Sequence, residues 1–296
     1  MTEVRQVDID HWHQHGYVLI EHFLTPAEVE GGLRDIRQYM PDREEFDARR
    51  PLFSSLGGHS ESGAQGWVRH EFPYFGDTLN AVAVHPFLVA FAERALERTN
   101  IAASHGAIVG KYAGKGDYDQ ELHADFSNNT LAYPRLEPEY SDIPMIVYYT
   151  DVEIGSGPTY VVPTDLTRDL PPRGQRFYPR AEYPHLYEAE RPAVVPAGSV
   201  LIYTMRTLHR GSAMHASRGV RFSQFVAFHT VGARWLGSTS FQGRGGSAEM
   251  DRFLTSATPR ERELVGFPAP GDPYWNEESL AGVAARYPGM DMSPYR

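Results

Sequence analysis

No cysteine occurs among the 296 residues, which excludes disulfides, thiolate metal sites and cysteine nucleophiles. Any metal this chain binds is therefore held by histidine and carboxylate. Long apolar runs are missing too: nothing approaches the roughly 20 residues needed to span a bilayer. The opening Met1 to Asp8 lacks a basic stretch followed by an apolar one, so no secretory signal is read there. Basic clusters are equally scarce, Arg49-Arg50 being the longest run in a chain of formal charge −10, whereas a phosphate-binding surface needs clustered lysine and arginine. The expectation is a soluble, cytoplasmic protein with a small-molecule substrate and no nucleic-acid or membrane partner. Its oligomeric state is not legible in the sequence.

The pattern along the chain predicts one domain over residues 1–296, with N-terminal helical support (1–100), a β-core (101–230) and a C-terminal helical extension (231–296). Near the start, a short helix is closed by Gly16 and followed by the apolar strand Tyr17-Val18-Leu19-Ile20. Thr25-Pro26-Ala27-Glu28 then reads as an N-cap, a proline in the first turn and the glutamate of a capping box. Behind it, Val29, Leu33, Ile36 and Met40 share one helical face. The Ser- and Gly-rich stretch from Leu52 to Trp67 reads as a loop, and 77–100 returns to helical spacing. From Ser104 onward, short strand-like runs alternate with turns, the signature of a sandwich or barrel. Strands are expected near 104–112, 120–125, 144–152, 159–163, 192–195, 199–204 and 220–230, with an insertion at 164–191. Helices follow near 247–256, 259–265 and 276–286, the second opened by another cap at Thr258-Pro259-Arg260-Glu261.

Chemistry concentrates in Leu122-His123-Ala124-Asp125. Side chains two apart on a strand share a face, so His123 and Asp125 present an imidazole and a carboxylate to one point. With 13 histidines and 16 aspartates, chance alone supplies roughly 0.7 such His-x-Asp pairs, so the pair weighs little by itself. Context adds weight. His209 would complete a facial triad of two histidines and one carboxylate, which holds Fe(II) and leaves positions open for O2 and an organic co-substrate. Oxygen activation then needs two further electrons, which a 2-oxo acid supplies by losing carbon dioxide. Arg221 suits its distal carboxylate, since a guanidinium grips a carboxylate through two parallel charge-assisted hydrogen bonds; Ser223 would add a hydroxyl on the same face. His215 competes with His209 as third ligand, and Arg218 with Arg221 as anchor.

Taken together, these blocks resemble the phytanoyl-CoA hydroxylase-like branch of the Fe(II)/2-oxoglutarate dioxygenases. The resemblance runs through His13-Gln-His-Gly-Tyr-Val-Leu-Ile-Glu21, Leu122-His-Ala-Asp125, Asp151-Val-Glu-Ile-Gly-Ser-Gly-Pro158 and Val161-Val-Pro163. It continues in Pro196-Ala-Gly-Ser-Val-Leu-Ile-Tyr203, His209-Arg-Gly-Ser212 and Arg221, in family order over roughly residues 8–230. It implies a mainly β protein with flanking helices around a double-stranded β-helix (jelly-roll, cupin-like) core. It also implies iron between His123, Asp125 and His209, 2-oxoglutarate on Arg221 and Ser223, and Tyr149 as the aromatic lining the co-substrate pocket. Relatives that halogenate carry Ala or Gly where this chain has Asp125, so hydroxylation of an unactivated C–H bond, with release of succinate and CO2, is the implied reaction. Two other readings stay open: a cupin-type metal enzyme that uses no 2-oxoglutarate, and a jelly-roll binding protein without catalysis. Substrate contacts are expected from 53–75 (His59, Trp67, His70, Tyr74), from Phe126, Asn128 and Asn129, and from 164–191.

Overall fold

A computed structural model describes residues 3–42, 67–114, 118–125, 141–170, 177–232 and 247–296, together with positions 44, 46 and 48. Residues 52–66 of the stretch expected to be a loop, with His59, and the segment with Phe126, Asn128 and Asn129 lie outside the described residues. Two antiparallel sheets form the centre. The larger has the order β1-β9-β5-β11-β3-β2, built from β1 (Tyr17–Ile20), β2 (Trp67–Glu71), β3 (Ile101–Tyr112), β5 (Asp142–Tyr148), β9 (Ser199–Tyr203) and β11 (Val220–Thr230). The smaller has the order β7-β4-β10-β6-β8, built from β4 (Leu122–His123), β6 (Thr159–Val161), β7 (Phe177–Tyr178), β8 (Arg191–Pro192) and β10 (His209–Gly211).

The apolar residues of β5 and β11 explain their central place. Asp142 to Tyr148 is buried at every position, as a strand covered on both faces must be. One face of the larger sheet carries Met145, Val147, Phe222, Val226 and Phe228 into a core with Trp12 of α1 (Gln6–His15) and Ile36 of α2 (Pro26–Ile36). Leu79 of α3 (Asp77–Ala83) and Leu88 and Phe91 of α4 (Pro86–Ala95) complete that layer. The other face turns Ile146, Tyr148 and Leu201 toward Val161 of the smaller sheet and Val195. The C-terminal helices α6 (Ala248–Ser256), α7 (Pro259–Leu264) and α8 (Glu277–Arg286) continue the outer layer through Met250, Phe253 and Leu264.

Local signals account for the helix ends. Gly16 closes α1 in the left-handed region and bonds back to the Trp12 carbonyl, and Thr25 and Thr258 both form complete capping boxes with Glu28 and Glu261. The N-terminus of α3 has no capping side chain of its own. Asp35 of α2 supplies one instead, accepting from the Thr78 and Leu79 amides at 2.8 and 3.2 Å. Within α2, Gly32 costs about 1 kcal/mol in helix propensity. A β-carbon there would collide with the Tyr149 ring, so the glycine sets how closely α2 lies on the sheet.

Several expected boundaries shift. The 144–152 strand runs Asp142–Tyr148, 192–195 contracts to Arg191–Pro192, and 77–100 divides into two helices at Pro86. β2, β7, β10 and α5 (Pro184–Ala189) lie where no element was expected. Three of these span two, three and six residues, too few to show a period. Among the described residues, no helix is long and apolar enough to cross a membrane.

Candidate metal centre

Register in the smaller sheet creates the centre. β10 pairs with β4 so that His209 stands directly opposite His123, and opposed residues of an antiparallel pair share a face. The two imidazole centroids are 4.5 Å apart. β4 ends at His123 and the chain turns, bringing Asp125 Oδ1 to 3.5 Å from His209 Nε2. One ligand atom from each of the three lies within 4.8 Å of the others, and no other His, Asp and Glu group of this kind occurs among the described residues. His215 and Arg218, the alternatives, are both exposed.

Neighbours fix the orientation of each side chain. His123 Nδ1 lies 2.9 Å from the Glu121 carbonyl and His209 Nδ1 lies 3.0 Å from the Thr207 carbonyl. A carbonyl only accepts, so in both rings Nδ1 carries the proton and Nε2 keeps its lone pair for a metal. Tyr203 donates to Asp125 Oδ2 at 3.0 Å, leaving Oδ1 turned toward the histidines. Burial, and then the Asp125 charge, pushes the Tyr203 hydroxyl well above its ordinary value, so it remains a donor. Two imidazole nitrogens and one carboxylate, with no sulfur, form a donor set that fits a divalent first-row metal with an open side.

A second layer ties the ligand-bearing segments together. Arg210 points away from His209, reaching Glu190 through Nε and Nη2 at 2.8 and 2.7 Å and Asp119 through Nη1 at 2.8 Å. Its guanidinium also lies 4.6 Å from the Tyr160 ring. Gln120 Oε1 accepts from the Gly211 amide at 2.8 Å, and the Gln120 amide donates to the Gly211 carbonyl at 2.9 Å. The arginine after His209 therefore anchors the approach to His123 and leaves His209 facing it.

Arg221 and Ser223 alternate on β11 and face inward. Ser223 stands opposite Tyr148, and Tyr148 opposite Ser199, so the three hydroxyl groups cross β11, β5 and β9 in one row. Arg221 donates through Nη1 to the Gly157 carbonyl, while its Nε and the hydroxyls of Ser223 and Ser199 are buried with no hydrogen-bond partner among the described residues. Burial draws Arg221 below its ordinary value and the neighbouring Tyr148 acts the other way; no described carboxylate pairs with it. Tyr149 does not join this row. It lies just past β5, turns to the helix-covered face, packs against Gly32 and donates to Gln224 Oε1 at 2.7 Å. The aromatic beside Arg221 is Tyr148, one residue earlier. Sequence reasoning missed Tyr203 and Tyr148, each of which sits at the end of an apolar run and leaves no signal of the face it occupies.

At the other end of the same face, Asp142 is fully buried, accepts from Ser104 at 2.8 Å and is pushed up by burial to about 7. His105, 2.9 Å from an Arg69 nitrogen, is drawn down to about 4 by burial and by that guanidinium, so it is neutral near pH 7.

Residues 12–223 match the model of the phytanoyl-CoA dioxygenase (PhyH) family. The chain belongs to that family. No curated protein matches it. Among solved structures it is similar to the epimerase SnoN in complex with Fe3+, alpha ketoglutarate and nogalamycin RO. That match has 18% identity, covers 79% of this chain and 86% of that one, and has a TM-score of 0.58. It is also similar to SnoK, an alpha ketoglutarate-dependent carbocyclase from nogalamycin biosynthesis, with 17% identity, 81% and 90% coverage and a TM-score of 0.58. HygX from Streptomyces hygroscopicus, solved with nickel, 2-oxoglutarate and hygromycin B, gives 13% identity, 77% and 88% coverage and a TM-score of 0.57. At such identities the likeness is one of fold, and it accords with the jelly-roll core and flanking helices described above.

Proposed function

We propose that this dioxygenase holds Fe(II) between His123, Asp125 and His209, anchors 2-oxoglutarate on Arg221 and Ser223, and uses O2 to hydroxylate a C–H bond of a small or medium organic molecule. Succinate and CO2 are the co-products. The observation that carries this reading is the pairing of a three-ligand face with a buried arginine that no described carboxylate neutralises. Iron together with the 2-oxo acid supplies the oxygen-activating chemistry.

The chain's own residues supply geometry. His123 and His209 keep their Nε2 atoms aimed by tying Nδ1–H to the backbone, and Tyr203 holds one carboxylate oxygen of Asp125 away from the metal side. Arg221 offers Nε, and Ser223 its hydroxyl, to the distal carboxylate of the co-substrate. Between these polar groups, Ile146, Leu201 and Phe225 form an apolar wall that keeps water from the reacting centre.

A cupin-type enzyme without 2-oxoglutarate would use the same histidines but has no need for a buried guanidinium. SnoN and SnoK are described as an epimerase and a carbocyclase. The same apparatus therefore also serves C–H oxidations that insert no hydroxyl, and product analysis separates these outcomes. Succinate release measured across a metabolite panel, with Fe(II), ascorbate and 2-oxoglutarate, tests the reading. Substrate-dependent succinate is expected, and R221A should raise the 2-oxoglutarate requirement by roughly 100-fold while iron stays bound. An unchanged requirement in R221A would move the anchor elsewhere.

A further inference from the structure

The His15-Gly16-Tyr17 junction between α1 and β1 lies 191 residues from Thr207, yet the two are in direct contact: the Thr207 hydroxyl donates to the Gly16 carbonyl at 2.6 Å. The same carbonyl accepts from the Thr204 amide at 2.8 Å. A carbonyl oxygen has two lone pairs, and here both are used. Between these donors runs the turn Thr204-Met205-Arg206-Thr207, closed by the Thr207 amide on the Thr204 carbonyl at 3.0 Å. With its proton given to Gly16, the Thr207 hydroxyl accepts from the Thr204 hydroxyl, 2.8 Å away. Thr207 is fully buried, so water does not compete for these bonds.

The residues at the two ends of this pinned turn are those that orient the metal ligands. Tyr203, just before it, holds Asp125 Oδ2, and the Thr207 carbonyl, at its end, holds His209 Nδ1. A β-carbon on Gly16 would come within 2.9 Å of the Thr207 hydroxyl and 2.2 Å of Thr164 Cγ2, and its φ of 77° lies in the left-handed region. Glycine is what lets the junction approach the turn this closely. From the other side, His15 Nδ1 lies 3.1 Å from Asp165, in the turn Thr164–Leu166. The ladder from Tyr17–Tyr203 to Ile20–Val200 already joins β1 to β9, so sheet pairing alone does not call for a buried hydroxyl beyond its end.

We propose that Thr207 is a positioning residue for the metal centre: pinned to Gly16, it fixes the carbonyl that selects the Nδ1-protonated form of His209, and so makes the docking of α1 a determinant of iron affinity. This rests on the iron reading above. Without the hydroxyl, the turn loses its side-chain tie to Gly16 and the Thr207 carbonyl is released. The imidazole can then place its proton on Nε2, the atom that must stay bare for the metal. Iron binding and the docked junction support each other, since coupling between two sites is reciprocal.

Two measurements test this. In anaerobic Fe(II) titrations, T207V, which keeps the shape of the side chain and loses the hydroxyl, should bind about 10- to 100-fold more weakly, while T207S stays within about threefold of wild type. Y149F, which removes a buried hydrogen bond on the opposite face, is the control and should leave iron affinity unchanged. Nitrogen NMR of the histidine rings in metal-free protein should show His209 protonated on Nδ1 in wild type and T207S, and a mixture of both forms in T207V. Wild-type iron affinity in T207V would make the bond a tie between strands and overturn the proposal. A loss in T207S equal to that in T207V would trace the effect to shape and overturn it as well. Should T207V not fold, T207A takes its place, and a wild-type His209 protonated on Nε2 would defeat the proposal without any variant. Wild-type protein that binds no Fe(II) would bring down the iron reading instead, a separate outcome because the ring measurement needs no metal.

Discussion

The two faces of β11 and of its neighbours β5 and β9 are built from the same strands, residue by alternate residue, yet treat polar groups in opposite ways. On the helix-covered face, Gln224 is a buried polar residue of β11 and its amide is used at both ends: it accepts from Tyr149 and donates to the Leu79 carbonyl at 2.9 Å. Around it, Phe222, Val226 and Phe228 pack against helices. On the inner face, Arg221, Ser223 and Ser199 keep buried polar atoms without partners among the described residues. A buried polar group left unmade costs about 1 to 3 kcal/mol. On these three strands one face makes its buried hydrogen bonds and the other leaves them unmade, as expected where a ligand completes the structure.

The sharpest break of that comparison sets F228A against R221A. Phe228 is fully buried on the packed face, so its truncation should cost about 3–5 kcal/mol, seen as a lowered denaturation midpoint, with unchanged 2-oxoglutarate affinity in the folded fraction. R221A should do the reverse, since it removes a desolvated charge whose Nε is unpartnered. A loss of stability in R221A as large as that in F228A would dissolve the distinction.

A pH series probes the other end of the inner face. Burial raises the Asp142 carboxyl to about 7 in the folded chain, against the ordinary 3.8 expected when unfolded. Between about pH 4 and 7 the unfolded chain releases this proton while the native one keeps it, so the Asp142 contribution to stability falls as pH rises and levels off above 7. D142N removes that slope. Near neutrality it should gain up to roughly 4 kcal/mol relative to wild type in metal-free protein, measured by urea unfolding at several pH values. Parallel pH profiles for the two proteins would contradict the assignment.

The smallest effect separates two adjacent tyrosines. Y149F removes a buried hydrogen bond to Gln224 and should cost about 1–2 kcal/mol of stability with no change in the KM for 2-oxoglutarate. Y148F, on the inner face, should shift that KM several-fold. Equal KM effects would place both rings in one environment.

Those tyrosines also mark the limit of what the sequence reveals. The convergence of the His-x-Asp pair with His209 was legible in the order of the motifs along the chain, and the shared face of Arg221 and Ser223 in the two-residue alternation of a strand. Tyr149 was expected in the pocket and lies on the opposite face, because a strand buried on both sides loses its two-residue alternation and with it the sign of the face. The end of β5 at Tyr148 decides the matter, and strand ends are set by pairing partners far along the chain. Tyr203 was invisible for a related reason: it closes the apolar run 199–203, and only the turn after β4 brings Asp125 within reach of its hydroxyl. Both capping boxes were readable, since a helix N-terminus is specified within four residues.

The central claim is that His123, Asp125 and His209 hold one Fe(II) with 2-oxoglutarate beside it. Anaerobic addition of Fe(II) and then 2-oxoglutarate, followed by visible absorbance, tests this most directly. A charge-transfer band saturating at one equivalent of each in wild-type protein, and lost in H209A, is the predicted result. Its absence from folded wild-type protein, or its persistence in H209A, would contradict the account.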